Sequence, residues 1–331
     1  IEGPRGVGKQ RLALWLAQLV MCEAGAGRRD EPCGTCRGCR LTLALSHPDV
    51  AWYVPLEPSR KAADAQKQVD VVEEALGSVV AGRREQPLYE APAGMAVHSI
   101  ATVRLLHRRL LLTAALGGWR AVIVGEAERL VPQEANPEAA NALLKALEEP
   151  PGRTVMILTA ADPAALPPTI LSRVVRVRLT RLKDSVVTAF AHDVLRAPEN
   201  GAELTARVAR AEGCIGRLLA PSGGSFDQAA AAAFLAAARK DPVARYREAL
   251  RQTPYQARGG FTAMLDGLLA RLREEVRGGA DTDKLVAAIA LVAEARGAAQ
   301  GNVNPQLLAA VLADDLAARG VRAAEETGEA A

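Results

Sequence analysis

From Lys9 to Cys22 the apolar residues Leu12, Leu14, Trp15, Leu16, Leu19 and Val20 recur at roughly helical spacing. Ile1-Glu2 before them reads as the tail of a strand entering a glycine-rich turn, so the chain reads as truncated at its N-terminus. A cysteine-rich stretch runs to Arg40. A short helix to about Ser46 and a strand over Val50–Val54 follow. The stretch from about 55 to 92 is polar and is treated as an insertion, with a helix predicted over Ala62–Leu76; another helix is predicted from Ser99 to Leu116. Arg120–Val124 and Thr154–Leu158 are short unbroken apolar runs, the kind that lie inside a parallel sheet, and they bracket a helix over Ala139–Leu147. After Val177 no strand is predicted. Helices at 184–195, 202–210 and 215–219 form a small unit, and Pro221-Ser222-Gly223-Gly224 reads as a linker. The remainder is helical in pattern, broken at Gly259-Gly260, Gly278-Gly279 and Asn302–Pro305, with a frayed tail over Thr327–Ala331. The predicted fold class is an α/β domain with a parallel sheet over 1–178, a helical lid over 179–222 and an all-α domain over 223–331.

A length of 331 residues suits two or three domains. No apolar run approaches the roughly 18 residues that a bilayer requires. The longest, Ala229–Ala238, is mostly alanine and runs straight into Arg239 and Lys240. Forty-one basic and 38 acidic residues leave a net charge of +3, so any nucleic-acid contact is local. Aromatic residues are only 3%, too few rings for a dedicated single-strand binder. With no secretory signal ahead of the first motif, the reading is cytoplasmic.

Gly3-Pro4-Arg5-Gly6-Val7-Gly8-Lys9-Gln10 fits seven positions of a phosphate-binding loop. Gly3, Gly6 and Gly8 would let backbone amides close around phosphates, and Lys9 would meet the outer ones. The eighth position fails, because a hydroxyl should hold magnesium there and Gln10 brings an amide. The strand Val122–Val124 should end in an acidic pair, yet it ends Gly125-Glu126-Ala127-Glu128. Glu126 stands where a water-polarising carboxylate would be, and Gly125 stands where the metal-side aspartate would be. ATP binding is therefore doubtful.

Cys22, Cys33, Cys36 and Cys39 give the spacing C-x10-C-x2-C-x2-C. Two short links turn thiolates toward one point, and the distant cysteine completes a tetrahedron suited to a closed, structural Zn²⁺. Cys214 is read as a core residue.

Taken with Ala139–Pro151, which runs AANALLKALEEPP, these motifs resemble the bacterial DNA polymerase III clamp loader family, a group of AAA+ proteins. Leu166–Arg173 (LPPTILSR) looks like the family segment ending Ser-Arg-Cys, with Val174 in the cysteine's place. Gly213–Arg217 resembles the lid segment with its second sensor arginine, and Asn302–Leu307 resembles the start of the last collar helix. The likeness covers nearly the whole chain except the insertion. It implies an AAA+ P-loop domain with a zinc module at 22–39, a lid, and a collar that oligomerises.

Motor subunits of the family, gamma and tau, keep the hydroxyl, the acidic pair and a polar first sensor. This chain has Gln10, Gly125 and Ala160-Ala161. The resemblance therefore implies a non-hydrolysing stator in a hetero-pentamer with gamma/tau and delta subunits. Such a complex places a sliding clamp on primed DNA, with Arg173 offered as an arginine finger to a neighbour's ATP. An active P-loop ATPase with unusual motifs is the alternative. A zinc-type nucleic-acid binder is disfavoured because C-x2-C-x2-C leaves no room for a recognition helix between ligands.

Overall fold

The computed structural model describes residues 1–24, 30–57, 64–85, 96–116, 118–131, 138–196, 201–219, 228–254, 260–278, 282–299 and 303–319. The linker at 221–224, the tail from Thr327 and both ends of the inserted stretch (58–63 and 86–95) lie outside them, as do Gly259, Gly279 and Asn302. The chain divides into two compact units, Ile1–Leu219 and Ala220–Ala331.

In the first unit, helix α1 (Lys9–Val20) and helix α2 (Arg37–Leu43) precede strand β1 (Val50–Tyr53). Helices α3 (Ala65–Glu85) and α4 (Ile100–Leu110), strand β2 (Arg120–Val124), helix α5 (Glu138–Glu148) and strand β3 (Thr154–Leu158) follow. The sheet order is β1-β2-β3, all parallel, with Val50 opposite Ala121 and Arg120 opposite Thr154. Beyond β3, Glu2 makes parallel bridges to Ala160 and to Arg178, so residues 1–3 continue the sheet edge as a strand tail would. The bridge to Arg178 places a strand-like contact just past Val177, where none was predicted.

Alternation along β2 sorts its side chains. Val122 and Val124 join the core with α3, α4 and α5, while Ala121 and Ile123 join Ala13, Ala17 and Met21 of the α1 side. Both faces are thus covered, which is why this strand is apolar without a break.

Three helix boundaries differ from the sequence reading. Helix α2 begins inside the cysteine stretch, because Cys36 Sγ caps it by accepting from Cys39 N at 3.3 Å. Helix α3 runs past Leu76 to Glu85 because Val69, Val72, Leu76 and Arg83 form a buried face. Helix α4 stops at Leu110, short of Leu116: Arg120 takes the Leu110 carbonyl at 2.9 Å, and the buried Asp49 carboxylate takes the amides of Ala115 and Leu116 at 2.6 and 3.0 Å. These long-range partners satisfy groups that further helical turns would have paired.

The first unit ends with helices α6 (Pro168–Leu171), α7 (Asp184–Asp193), α8 (Ala202–Ala211) and α9 (Ile215–Leu219). Val187, Ala191, Leu204, Val208, Ala211 and Leu218 make a separate small core. The buried Cys214 lies at the start of α9.

The second unit holds α10 (Gln228–Ala238), α11 (Pro242–Leu250), α12 (Thr262–Arg277), α13 (Thr282–Ala298) and α14 (Pro305–Ala318) around Phe234, Met264, Leu265, Leu268, Leu272, Val292, Leu312 and Leu316. Asp241 and Asn304 cap α11 and α14, and each is followed by proline at the first helical position. Among the described residues no helix is long and apolar enough to cross a membrane.

Candidate functional site

The glycine-rich loop sits between the Ile1–Gly3 edge and α1. Gly3, Gly6 and Gly8 have φ of +150°, +80° and +107°, a backbone that side chains resist. Gly6 also permits close approach from α9, since Gly216 N donates to the Gly6 carbonyl at 2.8 Å and a Cβ on Gly216 would lie 2.8 Å from Gly6 Cα. Lys9 is buried, and its Nζ donates to the Gly3 and Pro4 carbonyls at 2.8 Å each. Burial lowers its pKa, opposed by the nearby Glu128 carboxylate. The loop thus satisfies its own ammonium with its own carbonyls.

Gln10 leaves the loop toward β1, where its Oε1 accepts from Trp52 Nε1 at 3.0 Å. Gly125 is buried at the end of β2. Glu126 follows in a left-handed turn, φ 52°. Its carboxylate pairs with Arg129 Nε at 2.8 Å, so it faces an arginine rather than an open reaction space. Glu128 accepts from Ala161 N at 3.0 Å, and burial raises its pKa.

Two residues that motif reading passed over fasten this edge. Thr159 is fully buried; its Oγ1 accepts from Glu126 N at 3.1 Å and its carbonyl from Ala127 N at 2.7 Å. The signal for it was a polar residue directly after the apolar run Thr154–Leu158. His98 is 1% exposed and its Nε2 lies 2.7 Å from the Gly125 carbonyl. Burial lowers its pKa to about 4, against opposing pulls from the Gly125 bond and Glu126. The ring is therefore neutral at pH 7 and Nε2–H donates. Its Nδ1 is buried without a hydrogen-bond partner among the described residues. No sequence pattern marked this histidine, because its partner is a backbone carbonyl 27 residues away.

The four sulfurs of Cys22, Cys33, Cys36 and Cys39 all lie within 4.8 Å of one another, with those of Cys33 and Cys39 3.9 Å apart. A tetrahedral zinc with Zn–S near 2.3 Å sets an edge of about 3.8 Å, so the donor set and its spacing fit structural zinc. Amide groups turn inward as a thiolate shell requires: Cys33 N to Cys22 Sγ and Cys36 N to Cys33 Sγ at 3.4 Å, Glu23 N to Cys36 Sγ at 3.4 Å. Bonds from the Cys36 and Thr35 amides lower the Cys33 pKa to about 6, while burial raises that of Cys39 to about 12. Gly38 lets α2 pack on the end of α1, where a Cβ would fall 2.0 Å from the Met21 carbonyl.

Arg173 stands apart from both clusters, just past α6. Its Nε pairs with Glu148 Oε1 at 2.5 Å, and its Nη1 donates to the Thr169 carbonyl at 2.8 Å and Ser172 Oγ at 3.1 Å. The pair is well exposed, 34% and 47% for the two side chains. Arg176 pairs with Glu2 at 2.8 Å, and Arg217 and Arg181 share Glu212.

The family described as "DNA polymerase III, delta subunit" matches residues 1–183. The DNA polymerase III subunit delta' of Pseudomonas aeruginosa is 38% identical over 179 residues, 53% of this chain and 40% of that protein. That of Escherichia coli is 30% identical over 173 residues, 52% of this chain and 39% of that protein. Subunit tau of Escherichia coli is 29% identical over 181 residues, 55% of this chain and 21% of that protein. The chain thus spans less than half the length of each of these relatives.

The lowered His98 pKa sets a pH dependence. A base whose folded pKa lies below its unfolded value of about 6.5 contributes fully above that value, and the contribution is lost as pH falls toward about 4. Chemical unfolding between pH 7 and pH 4 should show wild type losing up to about 3 kcal/mol more than His98→Gln, whose amide can replace Nε2–H. Parallel pH profiles would refute this.

Proposed function

This chain belongs to the DNA polymerase III delta subunit family and is similar to delta' subunits, and from that premise we propose that it is a non-hydrolysing stator of a clamp loader. In this reading an AAA+ P-loop domain over 1–178 and a lid over 179–222 take their place beside gamma/tau and delta subunits in a hetero-pentamer. The α-helical domain over 223–331 is the collar that oligomerises. The complex loads a sliding clamp onto primed DNA in the cytoplasm.

One observation carries the non-hydrolysing role: Gln10 and Gly125 supply neither the hydroxyl nor the carboxylate that holds magnesium in P-loop enzymes. Gly3, Gly6, Gly8 and Lys9 remain as a phosphate loop without metal support. For the collar, Val243, Tyr246 and Leu250 on α11 and Leu307 and Val311 on α14 supply exposed apolar rows of the kind that subunit contacts cover.

Arg173 is the residue offered in trans. Its own-chain partner does not argue against this, because an exposed pair such as Arg173–Glu148 contributes at most about 1 kcal/mol. An arginine finger is worth ~10³-fold or more in rate, about 4 kcal/mol of transition-state stabilisation, so at the transition state the neighbour's phosphoryl group outweighs the own-chain pair. The planar fork suits the charge on a phosphoryl group in transit.

The thiol cluster holds one structural Zn²⁺, which couples folding of the N-terminal lobe to metal. Protein purified without added zinc should carry about one equivalent, and Cys36→Ser should lose it together with several degrees of thermal stability. A metal-free chain, or one carrying redox-active iron, would sink the assignment.

In a reconstituted complex, Arg173→Ala should preserve assembly and zinc yet lower DNA-stimulated ATP hydrolysis and clamp loading by about tenfold or more. Arg173→Lys should rescue little, since an ammonium lacks the bidentate geometry. Glu148→Ala removes only the own-chain ion pair and should leave the rates unchanged. Equal rates for Arg173→Ala and wild type make the arginine structural. Turnover by the isolated wild-type chain that vanishes in Lys9→Ala would instead establish an active ATPase.

A further inference from the structure

Gln10 and Gly125 are 115 positions apart in sequence but meet in space. A Cβ built on Gly125 falls 2.4 Å from Gln10 Nε2, 3.0 Å from its Oε1 and 3.1 Å from its Cδ. A carboxamide at the end of a flexible side chain could ordinarily swing away from such a clash. This one is held. Trp52 Nε1–H donates to Gln10 Oε1 at 3.0 Å, and because indole is only a donor, that bond turns Nε2 toward Gly125. Trp52 is braced in turn by the buried Arg83, whose guanidinium carbon lies 4.0 Å from the ring centroid. Arg83 belongs to α3, in the stretch that the family resemblance leaves unexplained.

Gly125 cannot retreat either. Its amide donates to the Tyr53 carbonyl at 2.8 Å, and its carbonyl accepts from His98 Nε2 at 2.7 Å. In P-loop enzymes magnesium is held by the loop hydroxyl and the strand-end aspartate, the positions of residues 10 and 125 here. A magnesium-bearing nucleotide does not fit this arrangement. The side chain at one position reaches across to the backbone of the other, and the one oxygen it carries is engaged by Trp52.

We propose that Gln10 and Gly125 form a single steric lock, braced by Trp52 and by Arg83 of α3, that keeps the magnesium position filled with protein while the phosphate loop stays folded. The lock rests on the non-hydrolysing reading and deepens it: the metal supports are not two independent losses but one coupled replacement, and the inserted helix is part of it. Reverting either residue alone cannot rebuild the metal site, because an aspartate at 125 collides with Gln10 and a threonine at 10 faces no carboxylate.

The test uses the full chain. In a thermal-unfolding cycle of Gln10→Ala, Gly125→Ala and the double variant, Gly125→Ala should lower the melting temperature by several degrees with Gln10 present and by much less in the Gln10→Ala background. Arg83→Met should shrink the penalty of Gly125→Ala in the same way. Binding of a fluorescent ADP analogue, with magnesium or with chelator, then reads the metal site. Wild type, Gln10→Thr and Gly125→Asp should bind no more tightly with magnesium than with chelator, and the Gln10→Thr, Gly125→Asp double variant should tighten about tenfold with magnesium. Additive melting shifts, magnesium-dependent tightening in either single variant, or none in the double would overturn the lock. None of these touches the stator reading, which falls only on Lys9-dependent turnover by wild type.

Discussion

Strand β2 is paired in parallel on both sides, and the first unit is organised by that constraint. Parallel pairing needs crossover connections, and the helices they contain lie on the two faces of the sheet, so Ala121 and Ile123 pack on the α1 side while Val122 and Val124 pack in the layer of α3, α4 and α5. Its end at Gly125 therefore lies in an interior that side chains from several elements can reach. The glycine-rich loop, Trp52 of β1, His98 before α4 and Thr159 after β3 all converge there because the sheet brings them there.

Burial at that edge demands internal pairing. An ammonium or amide removed from water costs several kcal/mol if left without a partner. Lys9 meets two loop carbonyls, Thr159 takes the amide of Glu126, and Glu128 takes the amide of Ala161. The Lys9 bonds and the backbone contact between Gly6 and Gly216 hold the loop in shape. The shape of the loop is thus a matter of packing and desolvation.

The other two features work on different scales. The four cysteines lie within one short stretch of chain joining α1 to α2, so their convergence is nearly local. A metal held there would tie α2 to the end of α1. Arg173 lies on the exposed side of a short turn, where its ion pair is weak enough to exchange.

The strand–loop–helix order, two apolar strands of the parallel sheet, the four-cysteine set and the absence of a hydroxyl at position 10 and a carboxylate at 125 are all legible along the chain. Each of these is written in local spacing or residue type, which a one-dimensional pattern preserves. The family resemblance also rested on contiguous runs such as Ala139–Pro151. Tertiary structure alone decided where α4 ends, because Asp49 and Arg120 take groups from a turn dozens of positions away or across a loop. It alone turned His98 into a neutral donor, since that depends on enclosure and on a distant carbonyl. It alone joined Gln10, Gly125, Trp52 and Arg83, whose contacts are steric and cation–π and leave no periodic trace along the chain.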